Sequence, residues 1–287
     1  MGRDGYKALA LSGGGCRGII QAALLSRVDL SGLDAVAGTS AGSGTAAAIA
    51  SGVRGRDLVR IFEENARDIF RYHFFRRINP LAVNYSGRDM LRALERVLDV
   101  PLGDLKIPCY IPASGYGGRA KVFDRTDDWT AAEACRASMS APHMFPPFKK
   151  DGTYWMDGGL WASDPTAVLA AAVRDKEGAD PDRTDVMTVM NGHRTPPEKA
   201  GDPPKTRLGW LPRLIPYITR GNETAVRYIA RRMPLGSLTV YEDPPVRDYW
   251  DLDRPDRMEE MKEEALKGLD DFKRAWDYFM LGKKRGE

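Results

Sequence analysis

Cysteine is scarce in this chain: the 287 residues hold three, scattered at Cys16, Cys109 and Cys135. Three dispersed thiols exclude a disulfide framework or a cysteine metal site and point to a reducing compartment. Histidine is equally rare, at His73, His143 and His193, which leaves few imidazoles for acid–base work. No apolar run is long enough to cross a bilayer. Met1-Gly2-Arg3-Asp4-Gly5-Tyr6-Lys7 has no apolar signal core, and Tyr6 stands where a myristoylation signal carries Ser or Thr. A cytoplasmic protein is expected, with peripheral contact at the inner membrane surface. A large excess of one charge is also missing. The net +3 does not by itself imply nucleic acid or membrane, and no nucleic-acid partner is expected. Internal repeats and low-complexity tracts are absent.

What is present is the composition of a globular chain, 43% hydrophobic and 29% charged, large enough for one domain with a sizeable core. Strand-like and helix-like segments alternate. That order predicts an α/β fold with a mostly parallel sheet and a ligand site at the carboxyl ends of its strands. Residues 1–287 read as one domain, with a catalytic core over roughly 1–195 and a helical and loop extension over 196–287. Glycine is the informative residue.

Two glycine segments follow apolar strand-like runs. After Leu33–Ala37 comes Gly38-Thr39-Ser40-Ala41-Gly42, a G-x-S-x-G pattern, and then the alanine-rich Thr45–Ala50, ended by Ser51-Gly52. Strand, serine and helix in that order predict a nucleophile elbow, where Gly38 and Gly42 permit the tight turn that exposes Ser40. After Ala8–Leu11 comes Ser12-Gly13-Gly14-Gly15-Cys16-Arg17-Gly18. Amide groups at the start of a helix point outward with the dipole behind them, so the Gly13-Gly14-Gly15 loop can hold an oxyanion or a phosphate. Arg17 reads either as a phosphate ligand or as the partner of a structural carboxylate. Cys16 reads either as an oxidisable thiol or as an inert small residue. Gly13, Gly15 and Gly18 also satisfy the dinucleotide pattern G-x-G-x-x-G. A Rossmann unit needs an acid at the end of the next strand, however, and here that end carries the elbow.

A serine nucleophile needs a base. Tyr154-Trp155-Met156-Asp157-Gly158-Gly159-Leu160 offers Asp157, which in isolation also reads as an aspartate before a Gly158-Gly159 turn. SGGGCRG, GTSAG and MDGG, in this order, resemble the patatin-like phospholipase family. Ala137–Phe148 and Asp157–Thr166 are also similar to it, with Asp164 standing where the family usually has asparagine. The resemblance implies a three-layer α/β/α fold and a Ser–Asp dyad without histidine, acting on lipid acyl esters with no cofactor or metal. Ser40 would attack and Asp157 would take its proton, while Gly13, Gly14, Gly15 and Arg17 hold the oxyanion or nearby phosphate. Burial beside Tyr154, Trp155 and Met156 would make Asp157 a better base than a free aspartate of pKa about 3.9.

Other readings compete with this one. His193 follows the strand-like run 185–190, and the order Ser40, Asp157, His193 matches a triad hydrolase. A catalytically silent lipid-binding protein and a dinucleotide-binding protein complete the set. His73 and His143 read as surface or packing residues.

Basic and aromatic residues mix in Arg71–Arg77 and in Lys205–Arg220, where Trp210, Leu211, Leu214, Ile215, Tyr217 and Ile218 lie among Arg207, Arg213 and Arg220. Such stretches suit either an anionic lipid interface or helices packed on their own core. Pro212 and Pro216 are expected to interrupt a continuous helix there. Ser86–Asp89 resembles a capping box. Met258 to Phe279 has the spacing of a docked surface helix, and Lys283-Lys284-Arg285 that of a frayed tail. Thr195–Pro204 could act as a flap. An uncontrolled cytoplasmic lipase would threaten its host, so an activator or oligomerisation is expected, with no residue attached to either.

Overall fold

Tyr6–Leu11 forms β1, and its alternation builds the first two layers. Leu9 and Leu11 enter one apolar cluster while Ala8 and Ala10 enter another on the opposite face. The chain passes through a short 3-10 turn, Gly15–Arg17, into α1 (Gly18–Leu25), buried along its whole length because it is apolar except for Gln21, whose side-chain amide donates to Ser12 O at 3.1 Å and Val189 O at 2.7 Å. β2 (Ala35–Gly38) pairs parallel with β1, and α2 (Ala41–Ser51) ends at Gly52, whose φ of 98° suits a residue without Cβ. α3 (Arg56–Ile69) and α4 (Gly87–Leu98) follow; Ser86 caps α4 by accepting the Asp89 amide at 3.2 Å. The computed structural model describes residues 5–71, 83–142, 144–192, 206–242, 244–247 and 250–281. His73, His143, His193, the 72–77 part of the first basic stretch, the Thr195–Pro204 loop and the Lys283–Arg285 tail lie outside them.

β3 (Cys109–Gly115) and β4 (Arg119–Phe123) form a hairpin. α5 (Ala131–Ser138) then opens on a capping box between Thr130 and Glu133. β5 (Phe148–Lys150), β6 (Thr153–Asp157), α6 (Gly159–Ala162), α7 (Thr166–Glu177) and β7 (Thr184–Val189) come next. The described chain closes with α8 (Arg207–Ala230), β8 (Ser237–Tyr241), α9 (Met258–Lys267) and α10 (Leu269–Leu281).

The eight strands form one sheet in the order β5-β6-β3-β2-β1-β7-β8, with β4 also on β3. The β3-β2-β1-β7-β8 part is parallel, whereas β4, β5 and β6 join by antiparallel pairing. Small residues line the face under α7, where Ala8, Ala10, Ala35 and Ala37 meet Leu169, Ala170 and Val173. Larger ones fill the face under α1 and α2. The result is three layers, α/β/α, with a mostly parallel centre.

Three elements differ from expectation. The segment after residue 195 supplies β8 to the central sheet as well as helices and loops, because Ser237–Tyr241 pairs in register with Asp185–Val189. α8 runs unbroken through Pro212 and Pro216. Each proline removes one donor at a cost of about 3 kcal/mol, and docking offsets it: Asn222 Nδ2 donates to Leu160 O at 2.6 Å and Arg227 pairs with Glu242 at 2.6 Å. The C-terminal helix is two helices, split at Gly268, whose carbonyl accepts the Tyr241 hydroxyl at 2.9 Å. Among the described residues no helix is long and apolar enough to cross a membrane.

Candidate active site

The elbow forms where β2 stops and α2 begins. Ser40 sits there at φ 51°, ψ −127°, a conformation costly for a residue with a side chain, about 1–3 kcal/mol. It is held because the turn leaves no room for relaxation. A Cβ on Gly42 would lie 2.5 Å from Leu11 O, and one on Gly38 would lie 2.2 Å from Gly42 O, so only glycine lets the turn lie against the end of β1. The Ser40 amide donates to Ser138 Oγ at 2.9 Å, and that hydroxyl donates to Pro112 O at 2.6 Å. The strained residue is thereby tied to β3.

Asp157 ends β6. β2 pairs with β3 in the register Ala37 to Tyr110, so continuing it three residues brings position 40 level with Ala113; Asp157 pairs with that same Ala113. Ser40 Oγ donates directly to Asp157 Oδ2 at 2.7 Å. The other carboxylate oxygen accepts the Gly159 amide at 2.7 Å. Burial pushes the Asp157 carboxyl up to about 6, with the Ser40 and Gly159 donors pulling the other way. A carboxylate so placed can take the hydroxyl's proton near neutral pH.

The glycine loop faces this pair, since a Cβ on Gly13 would meet the Ser40 Cβ at 3.2 Å. Its amides are not equivalent. The Gly13 amide donates to Ser163 O at 3.0 Å and the Cys16 amide to Leu252 O at 2.7 Å. Among the described residues the Gly14 and Gly15 amides make no hydrogen bond. The Gly13 amide is thus engaged within the fold, whereas its neighbours' amides are not. Gly15 has φ 56° and lies so close to Leu252 that a Cβ would sit 2.1 Å from its carbonyl oxygen. Arg17 folds back: its Nε donates to Gly14 O at 3.3 Å, and its charge acts on the buried Glu223 carboxyl. Cys16 is buried and desolvation pushes its thiol well up, so it is an inert packing residue. Cys109 and Cys135 are likewise free and buried.

Several supporting residues carry no local signal in the sequence. Ser138 braces the elbow, and the Ser140 carbonyl accepts the Asp157 amide at 3.0 Å. Arg136 is 2% exposed, and its guanidinium lies against the Ser140 hydroxyl, donates to Gly87 O and Pro146 O at 2.9 Å each, and so fixes the stretch before the aspartate strand. Asp164 is buried, accepts the Thr166 amide at 2.9 Å and has its carboxyl raised by burial. The neighbouring Ser163 Oγ donates to Glu223 Oε1 at 2.9 Å, which joins the turn after Asp157 to α8. Only the unusual burial of a serine pair, an arginine and a glutamate marks these sites, and burial is a tertiary property.

The curated relatives include a cGAMP-activated phospholipase of Pseudomonas aeruginosa, 30% identical over 180 residues, covering 56% of this chain and 54% of that protein. Another, a cGAMP-activated phospholipase of Escherichia coli, is 28% identical over 218 residues, covering 65% and 61%. The chain thus spans 54–61% of the length of these relatives. Among solved structures, VipD of Legionella pneumophila aligns over 93% of this chain and 67% of its own, with a TM-score of 0.43 and 14% identity. The patatin-like phospholipase family model matches residues 9–170, a segment that holds the glycine loop, the elbow and the aspartate strand. More than half of the 287 residues fit that pattern, and the chain belongs to the patatin-like phospholipase family.

Proposed function

We propose that this protein is a lipid acyl hydrolase that cleaves carboxylic esters with Ser40 and Asp157. The observation that carries the reading is the direct 2.7 Å hydrogen bond from Ser40 Oγ to Asp157 Oδ2 at a strained elbow. In a triad an imidazole stands between serine and carboxylate. Here the two groups touch, which supports a dyad over a His193 triad. As Ser40 Oγ attacks the ester carbonyl, its proton passes to Asp157 Oδ2. Charge gathers on the carbonyl oxygen, which accepts from the Gly14 and Gly15 amides in this reading, and Asp157 returns the proton to the leaving alcohol. Water then enters along the same path: Asp157 takes its proton as the water oxygen bonds to the acyl carbon, the acyl–Ser40 bond breaks, Asp157 returns the proton to Ser40 Oγ, and the fatty acid leaves.

Burial suits the aspartate to both halves of this cycle. A carboxyl of pKa about 6 is mostly ionised at pH 7 yet is a far better proton acceptor than a free aspartate. Family membership and the glycine loop support a lipid or phospholipid substrate over a soluble metabolite, and the chemistry asks for no cofactor. Transient contact with a membrane surface and a cytoplasmic site of action complete the reading.

Hydrolysis of a short-chain p-nitrophenyl ester and of phospholipid vesicles by four proteins tests it. Ser40→Ala and Asp157→Asn are each expected to lower kcat by about three orders of magnitude with folding intact, while His193→Ala keeps wild-type turnover. Loss in all three variants would move the assignment to a triad. Full turnover by Ser40→Ala would remove the nucleophile.

A further inference from the structure

We propose that α8 is the surface through which this protein seats on an anionic bilayer, and that its inner face couples that seat to the turn following Asp157. The proposal rests on the lipid acyl hydrolase reading and adds to it the part of the fold that meets the lipid. Of the nine large apolar side chains exposed among the described residues, five belong to this one helix: Leu214, Tyr217, Ile218, Tyr228 and Ile229, between 39 and 68% exposed. At about 3.6 residues per turn these positions fall on one side of the helix, with the small Gly221 and Ala225 between them. The stripe therefore runs continuously along four turns. Exposed apolar surface of this extent on a single element marks an interaction site.

Charge selects the occupant. The exposed charged side chains along residues 214–232 are Arg220, Arg231 and Arg232, and the guanidinium of Arg232 stacks on the Tyr228 ring at 3.6 Å. Glu223 is the one acid in α8, and it is turned inward to accept the Ser163 hydroxyl. An apolar stripe with tyrosines toward both ends and only arginines beside it fits the headgroup boundary of an anionic membrane. A protein partner would more commonly meet charges of both signs.

Glu223, on the opposite side of the helix, and Asn222, at the edge of the stripe, give the seat a route to the chemistry. Asn222 Nδ2 donates to Leu160 O at 2.6 Å, and Glu223 holds Ser163, whose carbonyl in turn takes the Gly13 amide at 3.0 Å. Leu160 lies within α6 and Ser163 directly follows it, and α6 starts two residues after Asp157 at Gly159, whose amide Asp157 accepts. A helix pressed onto lipid by one face is thereby held by the other against both the base and the glycine loop.

The test uses Leu214→Ser/Ile218→Ser/Ile229→Ser and Arg220→Gln/Arg231→Gln/Arg232→Gln beside wild type. Each protein is floated with vesicles of phosphatidylcholine alone or with phosphatidylglycerol added, and each is assayed on p-nitrophenyl butyrate in solution. Wild type is expected to float with the anionic vesicles, and the apolar variant to partition at least about tenfold more weakly. The arginine variant should lose the preference for phosphatidylglycerol. Both should melt and turn over the soluble ester as wild type does. Equal flotation of wild type and the apolar variant would overturn the proposal. So would a wild-type dimer in size-exclusion chromatography that the apolar variant abolishes with no vesicle binding by either, which would give this face to a second copy. Flotation as expected from a wild type that cleaves no ester would uphold the surface while refuting the hydrolase reading.

Discussion

A buried carboxyl that keeps its proton to about pH 6 leaves a thermodynamic signature separate from catalysis. The folded-state value of Asp157 lies above the unfolded one of about 3.9, so the folded protein binds this proton more tightly between about pH 4 and 6. The stability it contributes is present at low pH and is lost as pH rises through about 6. Asp157→Asn removes a buried charge, and urea denaturation should find it more stable than wild type by about 2–3 kcal/mol at pH 8, with the gap shrinking toward pH 4. A gap independent of pH would reject burial as the cause of the shift. At this scale Ser40 and Asp157 were legible as candidates because glycines bracket the serine two residues away on each side and a glycine pair directly follows the aspartate. Ser138 and Arg136 were not, since nothing near them in the chain distinguishes a serine that braces the elbow from one that ends a helix.

Elements were legible where a local rule governs them. The alanine run and Gly52 mark the span and end of α2, and Ser86 opens α4 as its position before Asp89 suggests. The prolines of α8 misled because contacts from Asn222 and Arg227 outweigh a local penalty. The elbow is the element most sensitive to a single atom. A Cβ on Gly42 would lie 2.5 Å from Leu11 O and 2.6 Å from Ser12 O, backbone atoms that cannot swing aside. Gly42→Ala is therefore expected to cost about 3 kcal/mol and to abolish labelling of Ser40 by a fluorophosphonate probe. Retained labelling at a wild-type melting temperature would show that the turn has slack.

Across the whole molecule, the C-terminal helices close the core. Phe272 and Phe279 are fully buried, Phe272 packs on Tyr241 with ring centroids 5.0 Å apart, and Lys7 Nζ reaches from β1 to Asp185 at 2.6 Å and to Phe279 O at 2.8 Å. The first strand and the last helix thus share one buried contact. Phe272→Ala should destabilise the protein by about 3–5 kcal/mol, read as a lower urea midpoint, with soluble-ester turnover intact below the transition. An unchanged midpoint would mean that α10 folds independently of the sheet.

By itself the sequence singled out Ser40, Asp157 and the glycine loop as candidates and determined the layered α/β class, because tight turns demand glycine and buried strands demand apolar runs over a few neighbouring positions. Tertiary structure alone decided how those residues meet. Ser40 and Asp157 are 117 positions apart, and they touch because β6 enters antiparallel and ends level with the elbow. The three glycines of the loop look alike in sequence, yet Gly13 donates its amide to Ser163 O while, among the described residues, those of Gly14 and Gly15 make no hydrogen bond. Strand direction and the use of each amide depend on registers set between distant segments, and no local pattern encodes those.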